Sequence, residues 1–294
     1  MPPPDVGATV LAALGAAADR VWMTEPPALN DEPDGVHQQR TAVRRLRSLL
    51  AAFRPLLDGP AAEWLRAQYG EWGRQLGTVR DIEVRADQLE QLLDARQQAR
   101  TDAAGGLRSL VDITRADYRR AHARLVELHA SPRGARRHEA LADLLASPLL
   151  APDVSRPAEA ELARILAGEV KRVHKRQRRL DGSLEGFHRL RKAARRLRYT
   201  AEALTSEPTP VFGDRVSALA AKAETVHDLL GDHRDALVVA AWLERESALA
   251  ARRGEPVAVY RELMDRARAV AHARIAGLED ALDALAEAAN TALP

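Results

Sequence analysis

The chain contains one strongly basic segment twice, and this internal repeat constrains the fold more than any other feature. Residues 36–47 read Val-His-Gln-Gln-Arg-Thr-Ala-Val-Arg-Arg-Leu-Arg, and residues 187–198 read Phe-His-Arg-Leu-Arg-Lys-Ala-Ala-Arg-Arg-Leu-Arg. The two copies lie 151 residues apart and share one His and four Arg positions. These positions are His37, Arg40, Arg44, Arg45 and Arg47, then His188, Arg191, Arg195, Arg196 and Arg198. We therefore expect two similar halves that present matching cationic faces.

Two further repeats support a duplication of the whole chain. A Leu-Gly-x-x-Arg-Asp motif begins at Leu76 and again at Leu230, and it contributes Arg80 and Arg234. An Ala-His-Ala-Arg motif begins at Ala121 and again at Ala271. The three motifs recur in the same order at nearly one spacing, which is far too long for a solenoid repeat. The sequence therefore predicts two tandem bundles.

Composition indicates that these bundles are helical. Hydrophobic residues make up 46% of the 294 residues and are mostly Ala and Leu, while aromatic residues make up only 4%. Ala, Leu, Arg and Glu are good helix formers, and no alternating strand pattern occurs. We predict an all-α protein with two pseudo-symmetric four-helix bundles, over residues 6–146 and 156–288, joined by a linker at 147–155.

Breaks in the hydrophobic periodicity place the helices. In the first half we predict helices over about 6–24, 35–57, 61–99, 102–129 and 134–146. The segment Glu25–Gly35 is rich in Pro and Asp and is predicted to be a loop. In the second half we predict helices over about 157–180, 184–205, 211–252 and 257–288.

The repeated basic segment is predicted to be an amphipathic helix with an anion-binding stripe. At roughly 100° per residue, His37, Arg40, Arg44 and Arg47 fall within an arc of roughly 80°. Apolar residues lie opposite, namely Val43, Leu46, Leu49, Leu50 and Phe53; in the second copy they are Leu190, Ala194, Leu197, Ala201 and Leu204. An ordinary solvated face would mix acids and bases at spacings of four residues. These stripes contain almost no acids, which favours a bound anion.

Other helices carry weaker basic stripes, inferred from helical position alone. One stripe in the first half contains Arg108, Arg115, Arg119 and His122, and one in the second half contains Arg164, Lys171, His174, Lys175 and Arg178. The first helix has little positive charge beyond Arg20, so we expect the second half to bind more strongly. Arg45 and Arg196 lie on the flank of their stripes, where they either contact the ligand or pair with Asp81 and Asp235.

Charge and targeting signals favour a cytoplasmic protein. The formal net charge is only +2, so the clustering of Arg, rather than the total charge, predicts a polyanionic partner. There is no Cys, which fits a reducing compartment. Val10–Ala18 is apolar but lacks a preceding basic residue, which argues against a signal peptide. No apolar run approaches the roughly 18 residues of a membrane span, so no membrane partner is expected.

Known catalytic motifs are missing from the sequence, so neither catalysis nor a cofactor is expected. There is no Walker-type loop, no Gly-x-Gly-x-x-Gly and no His-Glu-x-x-His. Two Glu-x-x-His pairs, at Glu185 and Glu224, resemble half of a di-iron site, but their cationic surroundings disfavour a metal ion. Few aromatic residues and little Asn or Gln in the stripes also disfavour specific binding of nucleic acid.

The paired His-x-x-Arg-x-x-x-Arg-Arg-Leu-Arg helices, each followed by a Leu-Gly-x-x-Arg-Asp helix, resemble the CHAD domain, the conserved-histidine α-helical domain. The resemblance covers residues 6–288 and implies two four-helix bundles around a basic central channel that binds inorganic polyphosphate. It also implies association with polyphosphate granules. The matching functional positions are His37, Arg40, Arg44, Arg47 and Arg80, then His188, Arg191, Arg195, Arg198 and Arg234.

CHAD domains are often joined to a triphosphatase domain with a Glu-x-Glu-x-Lys motif, and this sequence has no such motif. We therefore expect a stand-alone, non-catalytic member. Three alternatives stay open: an enzyme that acts on polyphosphate or uses a metal to act on phosphate, a helical nucleic-acid-binding protein, and a scaffold for protein partners.

Overall fold

The computed structural model describes residues 5–57, 59–98, 104–146, 150, 157–208, 210–254 and 256–293 of the protein. Within these ranges nearly every residue is helical and no β-strand forms. Two isolated bridges in the described ranges join Asp5 to Pro157 and Leu57 to Leu150. The prediction of an all-α fold is confirmed.

The described residues form ten α-helices and one short 3-10 helix, Arg54–Leu56. The first five α-helices are α1 Val6–Leu29, α2 Gly35–Ala52, α3 Gly59–Gln98, α4 Ala104–His129 and α5 Pro132–Ala146. The other five are α6 Ala158–Gln177, α7 Leu184–Thr205, α8 Asp214–Arg252, α9 Ala258–Ala276 and α10 Leu278–Ala292.

The chain divides into two compact units. The N-terminal unit comprises Gly7–Arg156, and the C-terminal unit comprises Met1–Val6 together with Pro157–Pro294. Each unit contains five described α-helices, where the sequence predicted five segments in the first half and four in the second, and in each unit the third helix is the longest. Of the predicted linker, residues 147–149 and 151–155 lie outside the described residues.

The buried sides of the two basic helices agree with the predicted helical pattern. In the N-terminal unit α2 packs on α3, and α3 also packs on α4 and α5. Five core residues were predicted for this segment, four within α2 and one at its C-terminal cap. All are at most 1% exposed, namely Val43, Leu46, Leu49, Leu50 and, at the cap, Phe53. The apolar side of this helix therefore faces the core, and its cationic side is left for other contacts.

The C-terminal unit is built in the same way around α7. This helix packs between α6 and α8, and α8 also contacts α9 and α10. Its predicted core residues are fully buried, namely Leu190, Ala194, Leu197, Ala201 and Leu204. Ser183 caps the N-terminus of α7, and its side-chain oxygen accepts a hydrogen bond from the Gly186 N–H (3.0 Å). This cap fixes the start of the helix at Leu184, about one turn before His188.

Several helix boundaries differ from the sequence prediction. α2, predicted to run to about residue 57, ends at Ala52 and is followed by the 3-10 helix Arg54–Leu56. The predicted loop at Glu25–Gly35 is wrong in its first part, since α1 continues to Leu29. Pro26 and Pro27, near the end of α1, have no backbone N–H to donate. Their carbonyl groups still accept hydrogen bonds, from the Asn30 N–H to Pro26 (2.9 Å) and from the Glu32 N–H to Pro27 (3.0 Å), and these bonds close the last turn. The single helix predicted over 257–288 is instead two helices separated at Gly277.

By length and hydropathy α1 is able to cross a membrane, although no membrane span was predicted from the sequence. One 18-residue window in Val6–Leu29 has a mean hydropathy of 1.2, and half of that window is buried within the protein. Its buried residues include Val10, Leu14 and Val21. The core helix of a globular protein has the same properties, so this finding is weak evidence for a membrane span.

Candidate functional site

The predicted motif residues of each unit lie on two helices that pack together, α2 with α3 and α7 with α8. We call His37, Arg40, Arg44, Arg47 and Arg80 the N-terminal basic face. We call His188, Arg191, Arg195, Arg198 and Arg234 the C-terminal basic face. All ten residues are half-buried. Ordinary solvated charges are more exposed, and partial burial of so many cations is costly unless another group compensates for it.

The glycine of the Leu-Gly-x-x-Arg-Asp motif makes room for the first arginine of the basic helix. A Cβ atom at Gly77 would lie 3.6 Å from Arg40 Cζ, and one at Gly231 would lie 2.7 Å from Arg191 Nη2. The two motifs found separately in the sequence therefore form one packed arrangement in each unit. Sequence reasoning missed this role, because the sequence alone does not show which side chain crosses a helical glycine.

The two arginines that lie on these glycines have different polar partners. Arg40 Nη1 donates to Asp81 Oδ1 (2.9 Å), whose side chain is 44% exposed. Arg191 Nε donates to the backbone carbonyl of His227 (3.4 Å). The first guanidinium is therefore partly neutralised by a carboxylate, and the second donates to a backbone carbonyl.

The histidine of each basic helix lies close to the arginine of the following motif. Burial lowers the pKa of His37, and Arg80 lowers it further, while Asp34 opposes this shift. Burial also lowers the pKa of His188, and the nearby charges of Lys192 and Arg234 lower it further. The Glu185 carboxylate acts in the opposite direction and raises this pKa. Both histidines therefore favour the neutral form until an anion offsets the nearby positive charge.

The last arginine of the motif differs most between the two faces. Arg47 lies above Gly70, where a Cβ atom would be 3.2 Å from Arg47 Nη2. Burial lowers the pKa of Arg47, and the neighbouring Arg66 and Arg74 lower it further. The buried Nε of Arg47 has no hydrogen-bond partner among the described residues. This end of the N-terminal basic face therefore concentrates positive charge.

Arg198, at the matching position of the C-terminal basic face, is held by two carboxylates. Its Nε donates to Glu202 Oε1 (2.6 Å), and its Nη2 lies 2.7 Å from Glu224 Oε1. Burial disfavours the charged form, but the two carboxylates outweigh burial and raise the pKa of Arg198. An anion that approaches Arg198 therefore has to compete with these acids.

Acids also approach the N-terminal basic face, at its histidine end. Arg80 Nη1 lies 2.9 Å from Glu83 Oε2 and 3.9 Å from Asp34 Oδ1. The counterpart Arg234 lies 3.8 Å from Asp235 Oδ1. Helical position within α2 and α7 could not reveal these acids, because most of them lie on neighbouring helices.

The sequence leaves two possible roles for the two flanking arginines, contact with the ligand or pairing with Asp81 and Asp235. Asp81 accepts from Arg40. Arg196 donates through Nη2 to Glu169 of α6. Glu169 also accepts from Arg172 Nε (3.3 Å), and its side chain is only 4% exposed. The structural role considered for Arg196 therefore exists, but it connects α7 to α6.

Two other predicted site residues have partners within the N-terminal unit. Arg115 donates to Glu90 (2.6 Å) and to Asp87 (3.1 Å), which ties α4 to α3. His122 is 9% exposed, and its Nε2 lies 2.8 Å from the Ala28 carbonyl. Hydrogen bonding within the unit therefore accounts for both side chains without a ligand.

The remaining predicted cations are exposed on α4 and α6. They are Arg119 on α4, Lys171 and Lys175 on α6, and Arg178 directly after α6.

Among the described residues, no group of three or more His, Cys, Asp and Glu is arranged to hold a metal ion. Glu224, considered above for a di-iron site, lies against Arg198 instead.

Beside His188 the C-terminal unit has an open groove of about 520 Å³. Its lining includes His188, Arg191 and Arg234 of the C-terminal basic face. The remaining lining is largely apolar and comes from α7 and α8. The groove thus brings three predicted binding residues together around a space of ligand size.

Two solved structures are similar to this chain over nearly its whole length. The crystal structure of the CHAD domain from the plant Ricinus communis superposes with a TM-score of 0.70 at 25% sequence identity, covering 98% of this chain and 92% of that chain. PptA from Streptomyces chartreusis superposes with a TM-score of 0.74 at 22% identity, covering 95% of this chain and all of the other.

The sequence is also similar to two curated proteins of Mycobacterium tuberculosis. They are the uncharacterized proteins MT2285 of strain CDC 1551 / Oshkosh and Rv2226 of strain ATCC 25618 / H37Rv, each 29% identical over 293 residues. The alignment covers 95% of this chain and 53% of each relative, so the chain spans about half their length. The family model of the CHAD domain matches residues 12–244. The chain belongs to the CHAD domain family.

Proposed function

We propose that this protein binds inorganic polyphosphate through its two basic faces and does not catalyse a reaction. The observation that carries the proposal is the repeated arrangement of a histidine and arginines on one helix, with the first arginine lying on a glycine of the next helix. Membership of the CHAD domain family supports polyphosphate as the ligand.

The chemistry of the faces suits a linear polymer of phosphates. Guanidinium groups bind phosphate oxygens bidentately, and charge-assisted hydrogen bonds of this kind are among the strongest in proteins. Successive arginines on one helical stripe can bind successive phosphates. Partial burial strengthens each contact, because fewer water molecules screen the charges. The faces offer few side chains that read base edges, which favours a phosphate polymer without bases.

The proposal treats each face by itself. The basic central channel that the CHAD resemblance implies stays a prediction, as do pseudo-symmetry between the bundles, association with granules and a cytoplasmic location. The further cations Arg119, Lys171, Lys175 and Arg178 could extend the binding surface. We do not assign a binding role to Arg115 or His122, because each already forms a hydrogen bond within the unit, Arg115 with Glu90 and His122 with the Ala28 carbonyl.

Isothermal titration calorimetry with long-chain polyphosphate tests the binding proposal. Affinity should fall steeply with salt, with a log–log slope of about −0.7 to −0.9 for each phosphate neutralised, by analogy with nucleic acids. An excess of duplex DNA at 150 mM salt should displace little of the polyphosphate. No measurable binding at low salt, or equal competition by DNA, would contradict the proposal.

Release of inorganic phosphate tests the absence of catalysis. The protein is incubated with long-chain polyphosphate and Mg²⁺, and free phosphate is measured over time. A binder releases no more phosphate than a buffer blank. Release that depends on both protein and Mg²⁺, and that a His188→Gln variant loses, would instead establish a polyphosphate-degrading enzyme.

A further inference from the structure

The groove beside His188 differs between the two halves of the chain in a way that inorganic phosphate does not explain. Leu237 and Ala241 line it in the C-terminal unit. At a spacing of 154 residues, the matching positions of the N-terminal unit are Glu83 and Asp87. One half therefore has apolar side chains where the other has acids that pair with Arg80 and Arg115.

The apolar part of the groove is accessible. Leu184 is 62% exposed and Val238 is 38% exposed, and both line the groove together with Phe187. Exposed apolar side chains gathered beside a cationic cluster are unfavourable unless something covers them. A chain of phosphates cannot cover them, because it has no apolar part. The groove therefore fits a ligand that carries both phosphates and an apolar group.

The size and polarity of the groove limit the kind of ligand that fits it. The volume of about 520 Å³ lies in the ordinary range for small-molecule sites and suits a nucleotide rather than a long acyl chain or a peptide helix. His188, Arg191 and Arg234 lie at the phosphate-binding side. Among the described residues that line the groove, Glu185 is the one acid, and it can accept a hydrogen bond from a sugar hydroxyl.

We propose that this groove is a nucleoside polyphosphate site, in which His188, Arg191 and Arg234 bind the phosphates and the nucleobase lies against Leu237 and Val238. The inference rests on the proposed anion-binding role of the C-terminal basic face. It adds a second ligand class, and it limits that class to one half of the protein. ATP then competes with polyphosphate for the C-terminal basic face and leaves the N-terminal basic face open.

The test compares ATP with inorganic triphosphate, which has the same number of phosphates and no nucleoside. Calorimetry on the full chain should give ATP an affinity about tenfold higher, the effect of burying modest apolar surface. The double variant Leu237→Asn/Val238→Thr should remove this preference and leave triphosphate affinity unchanged. The variant Arg234→Gln should weaken both ligands.

Val84→Thr is the matched control, since Val84 occupies the position of Val238 in the other half. It should leave the ATP preference intact, and circular dichroism should show unchanged helix content in every variant. Equal affinities of the wild type for ATP and triphosphate would overturn the inference, as would loss of the preference in Val84→Thr. Long-chain polyphosphate titrated in the same series reports separately on the proposed function.

Discussion

Arg191 lies so close to Gly231 that a Cβ atom on the glycine would be 2.7 Å from the Nη2 atom of the arginine. The contact joins the first arginine of the basic helix to the glycine of the following motif. It is looser in the N-terminal unit, where a Cβ atom on Gly77 would be 3.6 Å from the nearest atoms of Arg40. One substitution therefore has different consequences in the two halves.

Gly231→Ala should lower polyphosphate affinity several-fold without unfolding the protein. The added methyl group displaces the end of a flexible side chain, and alanine favours the helix by about 0.5–1 kcal/mol over glycine. Gly77→Ala is the matched control, because its methyl group would make ordinary contacts with Arg40. Calorimetry and thermal unfolding of both variants check this prediction. An equal loss of affinity in the two variants would argue against a role for the Gly231 contact.

Glu224→Gln should raise polyphosphate affinity about two- to fivefold. The change removes a carboxylate that competes with phosphate for Arg198, and ion pairs with this much solvent exposure contribute up to about 1 kcal/mol. Glu262→Gln serves as control, because it makes the same change in net charge at an exposed pair with Arg266 on α9. If both variants gained equally, the gain would reflect overall charge rather than release of Arg198.

Polyphosphate binding should tighten as the pH falls from 8 to 6, by about three- to tenfold. The pKa of His37 is lowered mainly by burial and next by Arg80. The pKa of His188 is lowered mainly by burial and next by Lys192. Both histidines are therefore neutral at pH 8. A bound polyanion favours the protonated forms and raises both pKa values. Binding therefore takes up protons.

Calorimetry at the two pH values measures this effect, and the double variant His37→Gln/His188→Gln should lose it. Equal wild-type affinities at pH 6 and pH 8 would exclude histidine protonation from the binding mechanism.

Glu169→Ala should destabilise the protein by about 3 kcal/mol, because it leaves the half-buried Arg196 without this carboxylate. Urea unfolding measures the free energy of unfolding. Glu63→Ala removes an acid from an exposed pair with Arg66 and should cost no more than about 1 kcal/mol. Similar costs in the two variants would mean that Glu169 does not stabilise the contact between α6 and α7.

The core of the basic helices could be predicted because it depends on local periodicity. The spacing of Leu46 and Leu50, or of Leu190 and Leu197, identifies a buried side wherever the helix packs. Helix ends were less predictable. The extension of α1 through Pro26 depends on carbonyl acceptors in the last turn, and the break at Gly277 leaves only a weak signal in the sequence.

Pairing between helices could not be predicted from a helical stripe. Glu169 and Glu224 are distant in sequence from the arginines that they contact, so their carboxylates are close to Arg196 and Arg198 only in the folded unit. The same reason explains His122, which belongs to a basic stripe in sequence but contacts the Ala28 carbonyl in the structure. A stripe shows which residues share a side of one helix, and tertiary packing determines which of them stay available.

The most direct test of the central claim is the affinity of long-chain polyphosphate for the double variant Arg44→Glu/Arg195→Glu at 150 mM salt. These two residues occupy matching positions in the two basic faces. The control Arg120→Glu/Arg252→Glu makes the same change in net charge at exposed positions outside the faces. We predict a loss of at least about 100-fold in the first variant, since each reversal removes a charge-assisted contact, and a much smaller loss in the control. Equal losses in both variants, or polyphosphate affinity retained by the first variant with its helix content intact, would contradict the account.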